Sequence, residues 1–225
     1  TAAHELESTQ FEPRLRRRYA MLVAAHCNGL PELAAGMKAL PDAATSFSHT
    51  QALWRFLSNE RVSLAQLGAP LIAAAREGIA EHCQDFALVA HDWSRLNYNS
   101  HASKHDRLRM THATDVGYEL HSSLVIGDQQ GEPLSPVVQN LATATELLST
   151  YRSPAPGAAA DSRLTHLDEL SERLRWLDAQ ALGKPLVHII DREADSVAHL
   201  RQWAAAGHHW LIRAKGCSRV RADQK

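Results

Sequence analysis

The chain has 225 residues, 44% hydrophobic and 22% charged, with a formal net charge of -1. That composition belongs to ordinary globular proteins and allows one large domain or two smaller ones. No apolar run approaches the roughly 20 residues of a membrane span, and no basic-then-apolar leader opens the chain, so a cytosolic, membrane-free protein is expected. Cys27, Cys83 and Cys217 form no CxxC pair, which argues against a disulfide framework and against a thiolate zinc site. The near-neutral total also excludes a uniformly basic nucleic-acid binder. Any DNA contact must come from local patches, and two stand out: Arg14, Arg16, Arg17 and Arg18 near the start, and Arg213, Lys215, Arg219, Arg221 and Lys225 at the end.

The first half reads as helical. From Pro13, Leu15, Tyr19, Leu22, Val23 and His26 recur at a helical period, and Gly29 is placed to end that helix. Arg14, Arg17 and Arg18 share one of its faces, offset from the apolar stripe. Ser48 with Gln51, and Ser63 with Gln66, are spaced as capping boxes that open two further helices. The first of these precedes Leu53, Trp54, Phe56 and Leu57, and the second precedes Leu64, Leu67, Leu71, Ile72 and Ile79.

After about residue 84 the pattern changes. Phe86 to His91 is an apolar run of strand length that is expected to end at Asp92. Gly117 to Ile126 and Pro133 to Leu141 flank Asp128-Gln-Gln-Gly131 and predict a hairpin. A Pro/Gly/Ala-rich loop at 153–160 follows, then a helix carrying Leu164, Leu167, Leu170, Leu174 and Leu177. Leu186 to Ile190 is a strand ending at Asp191, Glu193 to Ala206 a helix, and His209 to Ala214 a last strand. Strands alternating with helices predict a partly parallel sheet with helices on its faces, an α/β fold.

Asp92 and Asp191 each follow a short apolar strand. Sites in α/β sheets form at the carboxyl ends of strands, so two parallel neighbours would bring these carboxylates to one edge. Close carboxylates repel unless a cation lies between them, and hard oxygen ligands favour Mg²⁺ or Mn²⁺. An aspartate after a strand is equally a turn residue or a helix N-cap, and Asp191 does precede a helix. Spacing alone leaves both readings open.

Several segments together resemble one family. Asp191-Arg-Glu-Ala-Asp195 resembles the DREAD signature of the insertion-sequence-four family of DDE transposases. Asp92-Trp-Ser-Arg-Leu-Asn-Tyr98 is similar to that family's first catalytic motif. Ala52 to Asn59 resembles the helix closing its N-terminal DNA-binding domain, Phe11 to Arg17 its opening basic segment, and Leu211 to Lys215 the strand after the DREAD helix. These five motifs stand in the family's order and span almost the whole chain.

The resemblance implies a small all-α DNA-binding domain at 1–84, followed by an RNase H-like catalytic core at 85–225, a mixed sheet with flanking helices. It makes Asp92 and Asp191 two members of a catalytic metal-binding triad loaded with Mg²⁺, with Mn²⁺ as a substitute. It makes Arg14, Arg17, Arg18, Arg213 and Lys215 contacts to double-stranded DNA, at transposon terminal repeats and target. It also implies a homodimer for the complete protein, associated with the nucleoid when bound. The family's third carboxylate sits in a Tyr-x-x-Arg-x-x-x-Glu motif, and no such pattern occurs here. A fragment or truncated product is therefore expected. Two other functions compete: a DNA-end binder without strand cleavage, and an unrelated metal-dependent nuclease.

Other residues carry weaker signals. His101 and His105 have the spacing of a helical zinc pair but lack a companion Cys pair. Arg95, Lys104, Arg107 and Arg109 fall in a polar loop that would follow a DNA backbone. Trp54, Trp176 and Trp203 are expected in the core, while Trp93, beside Asp92, is either core or a nucleotide contact.

Overall fold

The computed structural model describes residues 11–27, 43–110, 112, 114–152 and 165–213. Among the described residues three helices come first: α1 (Pro13–Cys27), α2 (Ala43–Leu57) and α3 (Leu64–His82). Seven strands and two more helices follow, in the order β1 (Ala87–Asn97), β2 (Leu108–Arg109), β3 (Val116–Gly127), β4 (Pro133–Ala142), β5 (Leu147–Ser149), α4 (His166–Ala179), β6 (Leu186–Ile190), α5 (Val197–Ala205) and β7 (His209–Ile212). The chain is thus an α/β fold built on one mixed sheet. Among the described residues no helix is long and apolar enough to cross a membrane.

The strand order is β5-β4-β3-β1-β6-β7, with β2 paired to β3. Strand β3 runs antiparallel to both β1 and β4, while β1, β6 and β7 are parallel. The Asp128–Gly131 hairpin forms as the sequence predicts. Gly131 adopts φ 73°, a left-handed conformation that a side chain would strain. Asp128 also accepts three backbone N–H bonds, from Gln84, Asp85 and Phe86 at 2.8–2.9 Å, and so ties the hairpin to the entry of β1. Gly117 has a different reason to be glycine, because a Cβ there would collide with the carbonyl oxygen of Leu96.

Burial alternates along the strands, with Ala87, Val89 and His91 of β1 buried and Leu88 and Ala90 half-buried. The buried positions form a core with Ile72, Ala75 and Ile79 of α3 and Leu177 of α4. A second cluster joins Leu170 and Leu174 of α4 to Ile190, Ala194 and Trp203. Both clusters lie on the face that carries Val89 and His91, whereas the sequence predicts helices on both faces. On the other face Leu124, Ile126, Val187 and Ile189 are half-buried and Leu211 of β7 is exposed. A separate small cluster of Phe11, Leu22 and Phe56 holds α1 to α2, its rings in edge-on and stacked contact at 5.7–5.9 Å.

Local structure departs from the sequence reading in four places. The capping box at Ser63–Gln66 opens α3, with Ser63 Oγ accepting from Gln66 N at 3.2 Å and Gln66 Oε1 accepting from Ser63 N at 2.9 Å. The matching pattern at Ser48–Gln51 opens nothing, since α2 already runs through it from Ala43. The segment after Asp191 is not one helix: a short 3-10 turn (Arg192–Ala194) precedes α5. Strand β1 does not stop at Asp92, because its pairing with β3 continues to Asn97 opposite Gly117. Trp54 is 69% exposed rather than core, while Trp203 is buried as expected. The loop at 153–160, Gly29, Ala214 and Lys215 lie outside the described residues.

Candidate functional site

The parallel pairing of β1 and β6 brings the two aspartates together. The last registered pair is His91 with Ile190, so the next residue on each strand is Asp92 and Asp191. Both are exposed. Asp92 lies inside β1, on the face opposite His91, and its Oδ2 accepts a hydrogen bond from Ser94 Oγ at 2.8 Å. Asp191 caps the 3-10 turn, its Oδ1 accepting from Glu193 N at 2.8 Å. The capping role set against a metal role in the sequence is therefore real at Asp191, yet it uses one oxygen. Among the described residues Oδ1 of Asp92 and Oδ2 of Asp191 have no hydrogen-bond partner. Two aspartates at neighbouring register positions, each with a carboxylate oxygen to spare, offer donors of the kind a hard divalent cation takes.

The basic residues fall in two places. Arg213 directly follows β7, where the pairing of Ile190 with Ile212 puts it level with Asp191, and its backbone N–H donates to Ile190 O at 3.4 Å. Arg14, Arg17 and Arg18 are exposed on α1 and line an open groove of about 880 Å³ between α1 and α2, joined there by Arg55 and Arg61. Only Arg61 among these is paired by a described side chain, with Glu12 at 3.3 Å. The segment after Asp92 is not the loop its sequence suggests at Arg95, which lies in β1, or at Arg109, which lies in β2, and it offers less free charge than expected. Arg107 donates to the carbonyls of Lys104, Tyr98 and Asn99, and Arg95 pairs with Asp115. His101 and His105 are exposed, lie off any helix and join no group of metal-ligating side chains among the described residues.

Directly behind Asp92, on the covered face, runs a chain of hydrogen bonds that the sequence did not reveal. His91 Nδ1 is 2.9 Å from Ser123 Oγ and its Nε2 is 3.0 Å from His188 Nδ1. His188 Nε2 is 3.2 Å from Asp178 Oδ1, and His208 Nδ1 is 2.5 Å from Asp178 Oδ2. A carboxylate only accepts, so one assignment satisfies every link: His188 Nε2–H donates to Asp178, His91 Nε2–H donates to His188, and Ser123 O–H donates to His91. Arg173 Nη1 then donates to Ser123 Oγ at 3.2 Å. Burial, and then the Arg173 charge, hold His91 neutral well below its ordinary range; burial also lowers His188.

Arg173 continues the chain. It is fully buried on α4 and forms a two-point ion pair with Glu169, one turn earlier on the same helix. Glu169 also accepts from Asn140 Nδ2 at 2.7 Å and from Tyr151 O–H at 3.3 Å, and lies 3.3 Å from His121 Nδ1. Glu119 Oε1 in turn is 2.8 Å from His121 Nε2 and 2.7 Å from His166 Nε2. Burial opposes charge on Glu169 and Glu119, but the bonds from His121, Arg173 and His166 outweigh it and hold both at about 2. His121 is likewise penalised by burial, and its two carboxylate partners nonetheless raise it. Trp93 is half-buried with its ring stacked on His166 at 6.1 Å, and its Nε1 is buried with no partner. No family model matches this chain, and no curated protein matches it either.

Proposed function

We propose that the chain is the N-terminal and central part of a DDE transposase with an RNase H-like core, acting on double-stranded DNA. The observation that carries this reading is the side-by-side position of Asp92 and Asp191 at the carboxyl end of β6, in the setting of the DREAD motif. Three further observations support it. The order β4-β3-β1-β6-β7, with β3 antiparallel to three parallel strands, is compatible with an RNase H-like core. Arg213 stands beside Asp191 where a phosphate would lie, and the arginine-lined groove between α1 and α2 suits a DNA backbone. Trp93 takes no part in this reading: of the two roles its sequence position allows, it fills the core one, packed on the covered face against His166.

In this reading Asp92 and Asp191 would hold Mg²⁺, or Mn²⁺ in its place, which when bound would supply activation of a water and stabilisation of the leaving oxygen of a phosphodiester. The protein's own part is placement: the pairing of β1 with β6 sets the two aspartates at neighbouring register positions, and Arg213 offsets phosphate charge as the strand approaches. Strand cleavage by the family calls for a third carboxylate, for which the sequence holds no Tyr-x-x-Arg-x-x-x-Glu pattern, so ion binding is the primary readout. Asp92→Asn and Asp191→Asn should each weaken Mn²⁺ binding at least about tenfold in calorimetry, a difference of about 1.4 kcal/mol. Affinity for duplex DNA should be kept or raised, because a negative charge is lost. Unchanged Mn²⁺ affinity in both variants would overturn the assignment.

A further inference from the structure

We propose that Glu119, His121 and His166 form a binding site for one divalent transition-metal ion, Zn²⁺ by ligand chemistry, distinct from the carboxylate pair. Glu119 and His121 are two residues apart on β3 and so share a face of the sheet. His166 is the first residue of α4, whose start is fixed by Thr165 accepting from Asp168 N at 3.2 Å. The three ligand atoms, Glu119 Oε1, His121 Nε2 and His166 Nε2, all lie within 4.8 Å of one another. Glu119 and His121 are buried, while the His166 side chain is 53% exposed, which leaves a route for an ion and a place for a water ligand.

What surrounds the three ligands is arranged as metal sites require. The remaining nitrogen of His121 faces Glu169, which is itself held by Arg173, Asn140 and Tyr151. A carboxylate on the far nitrogen of a histidine fixes its tautomer and ring orientation and raises its basicity as a ligand. The Trp93 ring lies nearly parallel to His166, with 21° between planes, and orients the exposed ligand. His121 is thus flanked by carboxylates on both nitrogens. A neutral ring would turn a lone pair against one of them, so a positive species, proton or metal, belongs between His121 Nε2 and Glu119. Two imidazoles and a carboxylate select a borderline ion such as Zn²⁺, with water as fourth ligand, over Mg²⁺, which prefers six oxygens.

A second group, Asp178, His188 and His208, has the same residue types but a different logic. An ion on His188 Nε2 would displace its proton to Nδ1 and reverse the hydrogen bonds through His91 to Ser123. At His121, by contrast, loss of the Nε2 proton leaves the bond to Glu169 intact. The ion would pin the start of α4 to β3 next to Trp93, one residue from Asp92.

The test uses the full chain, stripped with a chelator, dialysed and titrated with ZnCl₂ by calorimetry, and with Co²⁺ followed by its visible absorption. Wild type should take up one ion at this site and give the absorption of a four-coordinate Co²⁺ centre. His166→Ala, a change at a side chain that is 53% exposed, should weaken Zn²⁺ binding at least about tenfold while circular dichroism stays that of wild type. Glu169→Gln, which touches no ion, should weaken it by about 10–100-fold. Asp92→Asn, Asp191→Asn, His208→Ala and a large excess of Mg²⁺ should leave it unchanged. The proposal falls if wild type binds no Zn²⁺, if His166→Ala binds as wild type does, or if His208→Ala abolishes binding.

Discussion

Arg173→Met tests the buried chain at its centre. The guanidinium is fully buried, pairs with Glu169 through both carboxylate oxygens, and donates to Ser123 Oγ and to the Ser122 carbonyl at 3.2 and 3.3 Å. Methionine fills a similar volume but leaves a carboxylate whose side chain is 3% exposed with only Asn140, Tyr151 and His121 as donors. Removing one partner of a buried ion pair costs about 3–5 kcal/mol. The surviving donors place this case at the lower end, about 3 kcal/mol. In a protein of this size each kcal/mol moves Tm by about 2–4 °C, so a fall of about 6–12 °C is expected. Urea unfolding followed by circular dichroism, with chelator present, gives the free energy directly. The double variant Arg173→Met/Glu169→Leu removes both charges and should be more stable than Arg173→Met alone. A single-variant loss below about 1 kcal/mol, or a double variant no better than the single, would refute the ion pair's role.

Two further outcomes follow from local geometry. The backbone N–H groups of Phe86, Gln84 and Asp85 hold the Asp128 carboxyl well below the ordinary carboxylate range. A depressed carboxylate stabilises the fold above its unfolded value of about 3.9 and loses that contribution as pH falls through the lower folded value. The gap in urea midpoint between wild type and Asp128→Asn should therefore stay constant from neutrality down to about pH 4 and shrink below it. A gap that widens on acidification would contradict the sign. Ser63→Ala removes the cap of α3 and should cost about 0.5–2 kcal/mol in the same assay, with Ser63→Thr close to wild type; an alanine variant as stable as wild type would show that the cap adds nothing.

The aspartate pair was legible in the sequence because each residue follows a continuous apolar run, and strand carboxyl ends are where α/β sheets build sites. Hairpin, β6 and α4 were legible for the same local reason. The length of β1 was not, since Trp93 to Asn97 lack an apolar run and are extended only by pairing with β3. Nor was the exposure of Trp54, because a helical period shows which face is apolar and not whether anything packs there. The Glu119–His121–His166 group is not legible in the sequence, because its members come from a strand and a helix start 45 residues apart. Only the alternation that puts Glu119 and His121 on one face points there. The His101–His105 spacing, which is local and visible, leads to nothing among the described residues.

The position of Asp92 depends on register as much as on identity. A slip of one residue between β1 and β6 would turn Asp92 to the covered face and His91 to the open one. The apolar part of that face, Val89 with Leu186 and Ile190, discriminates weakly against such a slip, since cores accept side chains of similar volume. The polar chain discriminates strongly. His91 must lie on the covered face to meet both Ser123 and His188, and Ser123 must lie there to meet Arg173. In the slipped register each of these buried groups would lose its partner, at about 1–3 kcal/mol apiece. The residue before Asp92 therefore acts on the site without touching a ligand: its hydrogen bonds select the one pairing of β1 with β6 that sets Asp92 beside Asp191 on the open face.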